Sequence, residues 1–222
     1  LLKELEGLGY VRQIRGMGDY ELTIKLASLG LAFLGQTGIG NISQPILDDL
    51  AAESKELVRL SLVDNDELIW VGVSQGSTSA LRYEPGQDQG KIAHLASSAG
   101  GQAWLATLSD EEAIKLVMQQ GLVKDQLGPK APTTVSDLLN VLKTVREQGY
   151  SVNFDSYVEG MAAIAMAIRN PDTGKSIGAV SIAGPSIRVT PAVMETYVAP
   201  LRKAALALGE ASRASLYFSK RE

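Results

Sequence analysis

Apolar positions in the last third of the chain follow the spacing of β-strands. Three apolar runs, at 150–154, 161–169 and 176–183, contain no proline, and each has the length of an ordinary strand. The sequence Asn-Pro-Asp-Thr-Gly at 170–174 separates the last two runs. It is typical of a tight turn, because proline fixes one backbone dihedral and glycine accepts a positive φ. The pattern therefore predicts an antiparallel hairpin.

The strands of this hairpin carry small side chains at many positions. These residues are Ala163, Ala165, Ala167, Gly178, Ala179, Ser181 and Ala183. Small side chains leave room over one face of the predicted sheet. A closely packed helix or a ligand can fill that room.

Helical periodicity and helix-capping residues occur in the rest of the chain. Ser109 with Glu112 has the pattern of a capping box, and Thr190 followed by Pro191 is typical of the first turn of a helix. Helices are predicted at 26–34, 43–54, 97–106, 109–120, 134–148 and 190–212, and further strands at 56–64, 67–73 and 79–83. This mixed order with antiparallel connections predicts the α+β class, not a doubly wound parallel sheet.

The first 26 residues have a different organisation. Leucines at helical spacing over 1–8 are followed by Gly9, and two short strand patterns at 10–14 and 19–24 flank a glycine-containing turn. A helix followed by a two-stranded ribbon is the closing half of a winged helix-turn-helix. An ordinary helix and hairpin is the alternative that this pattern leaves open.

Composition narrows the chemistry. The 222 residues include no cysteine and one histidine, His94, which excludes disulfides, thiolate zinc sites, cysteine catalysis and any multi-histidine metal site. We therefore expect no metal and no cofactor. The net charge of −4 argues against a generally basic surface for nucleic acid, although a small basic edge is compatible with it.

Neither a targeting segment nor a membrane span is predicted. No apolar run approaches the roughly 18 residues of a membrane span, and no signal-peptide pattern opens the chain. The absence of cysteine is compatible with a reducing cytoplasm, where we expect the protein to work. The first residue is Leu1 and not methionine, so we expect that the true beginning of the protein lies upstream.

Five sequence marks occur together in a fixed order. They are Tyr20-Glu21-Leu22 continuing to Leu29-Gly30, the small-residue helix at 96–106, the turn from Arg146 to Tyr150, Gly160, and Ser181-Ile182-Ala183-Gly184-Pro185. With these marks the chain resembles the IclR family of bacterial transcription regulators. The resemblance covers nearly all of the chain.

The resemblance implies an architecture and partners. It implies a winged helix that binds operator DNA, a helical linker, and a GAF-like domain with a mostly antiparallel sheet flanked by helices, which binds a small metabolite and assembles as a homodimer or a dimer of dimers. On this chain the three parts correspond to 1–26, 27–42 and 43–222. Arg12 and Arg15 are the wing residues expected to contact phosphate, with a solvated turn as the alternative. Residues that read bases would lie upstream of residue 1.

The resemblance also implies an effector site between the small-residue helix and the central strands. Its implied members are Ala99, Gly100 and Gly101 of the helix, and Asn153, Asp155, Ala163, Ser181 and Ala183 of the strands. A candidate apolar wall consists of Tyr83, Trp104, Tyr157 and Met161. Plain packing is the alternative for the small helix residues and for the apolar wall.

Several of these positions depart from the pattern that is usual in the family. Asn153 stands where Asp is frequent, Ala163 where Cys is common, Ala183 where Ser often occurs, Gln102 where Lys is usual, and His94 at a frequent Pro. The changes remove charge and thiol, so the resemblance does not identify the ligand. Asn153 and Ser181 suit a carbonyl, hydroxyl or carboxylate oxygen. Exposed amides at a helix start favour a carboxylate, so a small carboxylic or aromatic acid is expected.

Two other readings remain open at this point. Gly72-Val73-Ser74-Gln75-Gly76 matches the G-x-S-x-G pattern of serine hydrolases, but that pattern requires a strand, a turn and a helix, with a histidine and an acid nearby. A strand pattern follows Gly76 instead, so we expect no enzymatic activity and no catalytic residue. The second reading is a stand-alone sensor or dimerisation module that has lost DNA binding.

Overall fold

A computed structural model describes residues 1–15, 18–84, 86, 88–123 and 127–215. The helices are α1 (Leu2–Gly7), α2 (Ile24–Thr37), α3 (Ile39–Ser54), α4 (Ala99–Leu105), α5 (Asp110–Gln120), α6 (Val135–Gln148) and α7 (Pro191–Ala211). The strands are β1 (Val11–Gln13), β2 (Tyr20–Leu22), β3 (Leu57–Asp64), β4 (Glu67–Gln75), β5 (Ser151–Phe154), β6 (Met161–Arg169) and β7 (Ser176–Pro185). A 3-10 turn at Ser212–Ala214 follows α7.

The centre of the molecule is a five-stranded sheet in the order β4-β3-β7-β6-β5. Every neighbouring pair in it is antiparallel. The predicted hairpin is present as β6 and β7, and the turn between them is closed by a hydrogen bond from the N–H of Asn170 to the carbonyl oxygen of Lys175 at 2.8 Å. The α+β class and the antiparallel sheet are therefore confirmed.

One face of the sheet carries the main hydrophobic core. Alternate strand residues such as Leu60, Ile164 and Ile182 point to the same cluster as Leu47 of α3 and Leu201 of α7. Because side chains alternate between faces along a strand, the intervening residues face the other side. Helix α4 packs on that second face, against β5, β6 and β7.

The small side chains of the predicted hairpin lie on this second face, where α4 approaches the sheet closely. Ala163 lies opposite both Asn153 and Ala183, and Ser181 lies opposite both Ala165 and Arg59. Ala99 and Ala103 of α4 pack against Ala163 and Ala165. The predicted close approach of a helix to the small residues is therefore present.

The predicted helix caps are confirmed. Ser109 and Glu112 form a reciprocal capping box at α5, and the Thr190 hydroxyl accepts a hydrogen bond from the N–H of Val193 with Pro191 in the first turn of α7. Gly149 adopts a left-handed conformation, with φ of 84°, at the end of α6. These local signals fixed the helix ends because each one satisfies backbone groups that the helix leaves unpaired.

The strand predicted at 79–83 is absent, and this prediction was wrong. The outer edge of β4 pairs with residues 90–93 instead: Trp70 donates to the carbonyl of Lys91, and Ala93 donates to the carbonyl of Leu68 at 2.7 Å. The carbonyl of Leu81 accepts from the guanidinium of Arg188 at 2.9 Å. The described residues of 77–91 therefore form no regular strand or helix; we call this stretch the 77–91 segment.

The helices before the sheet are longer than predicted. The sequence places a break over 35–40, whereas α2 and α3 are separated by Gly38 alone, which adopts φ of 72°. The Ser215 hydroxyl donates to the carbonyl of Thr37, at the end of α2, at 2.8 Å. The end of the described chain thus meets the junction of the two helices.

The N-terminal helix and ribbon are present as α1, β1 and β2. Gly9 adopts a positive φ of 75° between the helix and the ribbon. The tip of the ribbon, at 16 and 17, lies outside the described residues. Within the described part of the chain, no helix has both the length and the apolar character that a membrane crossing requires.

Candidate functional site

A small cavity, partly open to solvent, lies between the start of α4 and the second face of the sheet. Eight of the twelve residues predicted for the effector site line it: Ala99, Gly100, Asn153, Tyr157, Met161, Ala163, Ser181 and Ala183. Its volume is about 30 Å³, which is close to the share of one water molecule in the liquid. An organic ligand therefore requires a movement of the cavity wall.

The other four predicted residues lie around the cavity without lining it. Trp104 is buried in the second hydrophobic cluster, under α5 and α6. Gly101 faces the backbone of Leu95, where a β-carbon would overlap the chain. Asp155 accepts a hydrogen bond from the N–H of Gly160 at 2.8 Å, and Tyr83 reaches the cavity only through a neighbouring arginine.

Two polar side chains fasten the start of α4 to β5 and the turn after it. The amide of Asn153 and the hydroxyl of Ser156 both donate to the carbonyl of Ser97, at 2.8 and 2.9 Å. The Ser98 hydroxyl accepts from the N–H of Gly101 at 3.1 Å. Because this cap already occupies one amide and α4 is only seven residues long, the helix start is a weaker anion site than the sequence suggested.

Arg59 of β3 is the cavity residue that the sequence reasoning missed. Its side chain is only 6% exposed, and Nη2 donates to Oδ2 of Asp88 at 2.8 Å. The guanidinium carbon lies 4.7 Å from the ring centre of Trp70 and 4.8 Å from that of Tyr83. A single charged residue inside the apolar run Leu57-Val58-Arg59-Leu60 was the available signal.

One nitrogen of Arg59 has no hydrogen-bond partner among the residues that the structure describes. Nε is buried, and no hydrogen-bond acceptor reaches it within the described chain. A buried donor without an acceptor carries a cost of about 1 to 3 kcal/mol. Among the described residues, an arginine that lines the cavity therefore has an unsatisfied buried donor.

Aromatic rings surround Arg59 at its end of the cavity. Trp70 and Tyr157 make an edge-to-face contact with ring centres 5.6 Å apart. Burial raises the pKa of Tyr83 and that of Tyr157 above the usual value for a phenol. Both side chains are therefore neutral near pH 7, and the Tyr83 hydroxyl donates to Oδ2 of Asp88 at 3.1 Å.

His94 is buried beside this region but does not line the cavity. Its Nε2 lies 2.9 Å from the carbonyl oxygen of Gly121, and its Nδ1 lies 2.8 Å from the hydroxyl of Ser97. Because a carbonyl can only accept, Nε2 carries a proton. Within the described ranges, no group of three or more histidine or acidic side chains could hold a metal ion.

The hydrolase reading does not fit the position of Ser74. Residues Gly72 to Gln75 are part of strand β4, so no sharp turn presents the hydroxyl to a substrate. Ser74 donates to Oδ1 of Asp48 at 2.7 Å, and this hydrogen bond is the main cause of a lowered pKa for Asp48. The ring nitrogens of His94 contact Gly121 and Ser97 instead.

The two wing arginines differ in their surroundings. Arg12 forms an ion pair with Glu21 on the neighbouring strand, so its charge is partly compensated. Arg15 is exposed near the tip of the ribbon.

A larger groove of about 730 Å³ lies between α6, α7 and the end of β6. It contains none of the residues predicted for the effector site. The guanidinium of Arg146 in its wall is occupied by the carbonyls of Ala106 and Leu108 and by Asp110. Since size alone distinguishes this groove, the small cavity at Arg59 is the better candidate.

Known proteins match this chain in sequence. The sequence model of the family described as "Bacterial transcriptional regulator IclR C-terminal" matches residues 31–210. The HTH-type transcriptional repressor AllR of Escherichia coli (strain K12) is 29% identical over 190 residues, which cover 86% of this chain and 68% of AllR. AllR of Salmonella typhimurium (strain LT2) is 30% identical over 193 residues, with the same coverage.

Solved structures share the fold. An IclR-type regulator from Silicibacter sp. TM1040 has a TM-score of 0.80 at 24% identity, covering 95% of this chain and 81% of that one. An IclR homologue from Microbacterium hydrocarbonoxydans, solved in complex with 4-hydroxybenzoate, has a TM-score of 0.72 at 23% identity, covering 96% and 84%. The relatives are named as transcriptional regulators, in agreement with the expectation that the chain is not an enzyme. The chain belongs to the IclR family of bacterial transcriptional regulators.

Proposed function

We propose that the chain is a cytoplasmic transcription regulator that binds a small carboxylic or aromatic acid in the cavity at Arg59, and that binding alters its affinity for operator DNA. The observation that carries the proposal is the cavity itself. It joins small residues on the sheet, polar groups from Asn153 and Ser181, and a buried cation.

The chemistry of the cavity suits an acid. Ligand sites are usually apolar spaces with a few polar groups that fix orientation. Here Ala163 and Ala183 supply the apolar floor, Trp70 and Tyr157 supply aromatic walls, and Arg59 supplies positive charge. The homologue from Microbacterium hydrocarbonoxydans was solved with an aromatic acid, which supports the same ligand class for this chain.

The small volume implies a coupled movement. A ligand of several heavy atoms needs more than about 30 Å³, so the acid would select an arrangement in which a wall has moved. A ligand shifts a conformational equilibrium only by its preference for one state. In this proposal, such a movement on binding would supply the energetic difference between free and bound forms that a regulator requires.

A second copy of the chain is the proposed partner of α2. No charged residue occurs between Lys25 and Asp48, and Leu29 and Leu31 of α2 are 55% and 69% exposed. Contiguous exposed apolar residues mark interaction sites. We assign this helix to a homodimer, which a further contact would extend to a dimer of dimers.

The ribbon is the proposed contact with operator DNA. Arg15, and Arg12 once it leaves Glu21, would neutralise phosphates and add a salt-dependent term to affinity. Such contacts position the protein without reading sequence. Base recognition would rest on other residues of the DNA-binding domain.

The first test is a thermal-shift screen against short aliphatic carboxylates and 4-hydroxybenzoate. A ligand that binds only the folded state raises the melting temperature by mass action. We expect a shift that is lost in Asn153→Ala and Ser181→Ala but kept in Ser74→Ala, whose side chain lies on the outer strand β4. Equal shifts in all three variants would place the acid elsewhere and contradict the proposal.

The second test concerns DNA. Fragments selected from random DNA by the native protein should be released or bound more tightly on addition of the acid. Asn153→Ala should bind the same fragments but lose this response. Failure of the native protein to select any DNA would favour a stand-alone sensor.

A further inference from the structure

One edge of the Arg59 guanidinium, beside the cavity that this residue lines, is only half occupied. In a guanidinium group, Nε and Nη2 lie on the same edge and together match the two oxygens of a carboxylate. In Arg59, Nη2 donates to Asp88 at 2.8 Å, while Nε is buried without an acceptor among the described residues. Asp88 therefore uses one of the two donors on this edge.

A second arginine in the same chain shows the complete arrangement. Arg188 donates from Nε to Oε1 of Glu56 at 2.5 Å and from Nη2 to Oε2 at 2.9 Å. Both oxygens of that carboxylate are used, and both donors on the edge are satisfied. Arg59 is more buried than Arg188, yet it lacks the second hydrogen bond.

Two aromatic rings lie against the guanidinium of Arg59, so the edge formed by Nε and Nη2 is the one with a free donor that we consider for a ligand. Trp70 and Tyr83 stack on the guanidinium at 4.7 and 4.8 Å. A ligand that approaches in the plane of the group meets Nε and Nη2 together. In-plane, two-oxygen binding is a property of carboxylates that a single hydroxyl or an amide cannot reproduce.

Asp88 has partners that remain when it leaves Arg59. Its Oδ1 lies 3.5 Å from Nζ of Lys91, which is largely exposed. Its carboxylate can therefore move toward Lys91 and water without losing all its compensation.

We propose that Arg59 is a carboxylate-binding residue and that Asp88 occupies its site in the free protein until the carboxylate of a small acid replaces it across Nε and Nη2. This inference rests on the proposed function and narrows its ligand class to a free carboxylate. The Asp88 side chain itself is the size of acetate, so acetate is the smallest probe of the exchange.

The test is chemical rescue of Asp88→Ala by sodium acetate, at constant ionic strength maintained with sodium chloride. Loss of Asp88 leaves a buried cation without its counter-ion, so the melting temperature should fall. Acetate should restore it and should bind this variant at least about tenfold more tightly than the parent chain. Acetamide, equal in size but uncharged, should restore nothing. Fluorescence of Trp70, which stacks on Arg59, provides a second readout.

Two further variants serve as controls for this experiment. Asp88→Ser, which also removes the carboxylate and leaves room for acetate, replaces Asp88→Ala if the latter does not fold. Arg59→Lys combined with Asp88→Ala keeps the positive charge but loses the paired donors, and rescue by acetate should disappear. Rescue by acetamide, persistence of rescue with Arg59→Lys, or no rescue at all would each overturn the inference.

The inference and the proposed function can fail separately. If 4-hydroxybenzoate and neutral 4-hydroxybenzamide bind the parent chain equally well and both lose affinity in Asn153→Ala, the cavity is an effector site but Arg59 is not its carboxylate anchor. If acetate rescues Asp88→Ala while no acid shifts the parent chain, the carboxylate site stands and the effector proposal falls.

Discussion

Two neighbouring glycines of α4 have different reasons to be glycine. A β-carbon on Gly101 would overlap the backbone carbonyl of Leu95, whereas one on Gly100 would meet Ser61, Leu68 and Ala179 at ordinary distances of 3.6 to 3.7 Å. The helix therefore touches the preceding turn at one glycine only. At Gly100 a small residue suits the space over the sheet without being required by it.

This difference predicts opposite effects of the same substitution. Gly101→Ala should destabilise the fold by about 1 to 3 kcal/mol, since forced overlap with backbone cannot relax easily. Gly100→Ala should be neutral or stabilise it by up to about 1 kcal/mol, because alanine favours a helix. Urea unfolding of both variants measures this; equal losses would show that both positions are equally crowded.

Asp155 predicts part of the acid sensitivity. Its pKa is lowered, first by the hydrogen bond from the N–H of Gly160 and then by Lys130. A carboxyl group whose folded pKa lies below its unfolded pKa of roughly 3.9 stabilises the fold above that pH, and this contribution is lost as the pH falls through the folded pKa. Stability attributable to Asp155 should therefore be present at neutral pH and disappear under acid.

Asp155→Asn isolates that charge. Asn tolerates the left-handed backbone of this residue, with φ of 50°, and keeps an oxygen acceptor. We expect the variant to lose less stability than the parent chain between pH 5 and roughly pH 2 in urea unfolding. Parallel pH profiles for the two proteins would show that the carboxylate contributes nothing to acid sensitivity.

At the scale of single residues, the sequence located much of the cavity but not its cation. Asn153, Ala163 and Ser181 were found because a family resemblance places them on known strands. The position of Arg59 depends on cross-strand register with Ser181 and on Asp88, which lies 29 residues away. Neither relation is visible in a linear pattern, so a charge inside an apolar strand was left without a role.

At the scale of elements, a partly buried ion pair connects the start of β3, the turn before α7 and the 77–91 segment. Glu56, just before β3, is 3% exposed and binds both Nε and Nη2 of Arg188, whose remaining nitrogen donates to the carbonyl of Leu81. Hydrogen bonding to Glu56 raises the pKa of Arg188. The pair thus fixes the path by which the chain enters the sheet and the turn that precedes α7.

Neutralising this pair should cost more than neutralising a surface pair. We expect Glu56→Gln to reduce the free energy of unfolding by about 1 to 2 kcal/mol; a fully buried pair would cost more, but Arg188 still reaches water. Asp172→Asn breaks the exposed pair with Arg213 and should cost less than Glu56→Gln, because solvent screens the exposed pair. Chemical unfolding of both variants compares them directly; an equal cost would mean that burial adds nothing.

Elements whose ends are marked by residues close together in sequence were predicted well. An element that depends on which of two segments pairs with a strand edge was not. The two partners of the capping box at α5, Ser109 and Glu112, are only three positions apart, so the sequence could locate the start of that helix. The edge of β4, in contrast, was open to either of two following segments. Residues 90–93 occupy it, and the carbonyls at 81 and 83 bond to side chains of Arg188 and Gln75.

At the scale of the whole molecule, the exposed apolar residues of α2 predict self-association. Leu31→Lys should weaken dimers in analytical ultracentrifugation by at least about tenfold, because a charge would be buried against an apolar partner surface. Met118→Lys, a similarly exposed position on α5, should leave the association constant unchanged. Equal effects of the two substitutions would point to a different interface.

Class and layer arrangement were predictable because binary patterning fixes which face of each strand is buried. The assembly and the DNA contact were not, since a net charge of −4 and a ribbon of six paired residues carry too little information. They entered only through the family resemblance.

The contact between Ser215 and Thr37 gives the chain that follows α7 a direct connection to the junction of α2 and α3. These two residues are separated by 178 positions in sequence, and Gly38, the only residue between α2 and α3, lies beside them. Helix α7 packs on β6 and β7, and residues of both strands line the cavity. A displacement of these strands can therefore reach the junction of α2 and α3 through α7, independently of α3. For the proposed regulator, loss of the Ser215–Thr37 hydrogen bond would abolish the response of DNA binding to the ligand. The affinity for the ligand and the affinity for DNA would both stay the same.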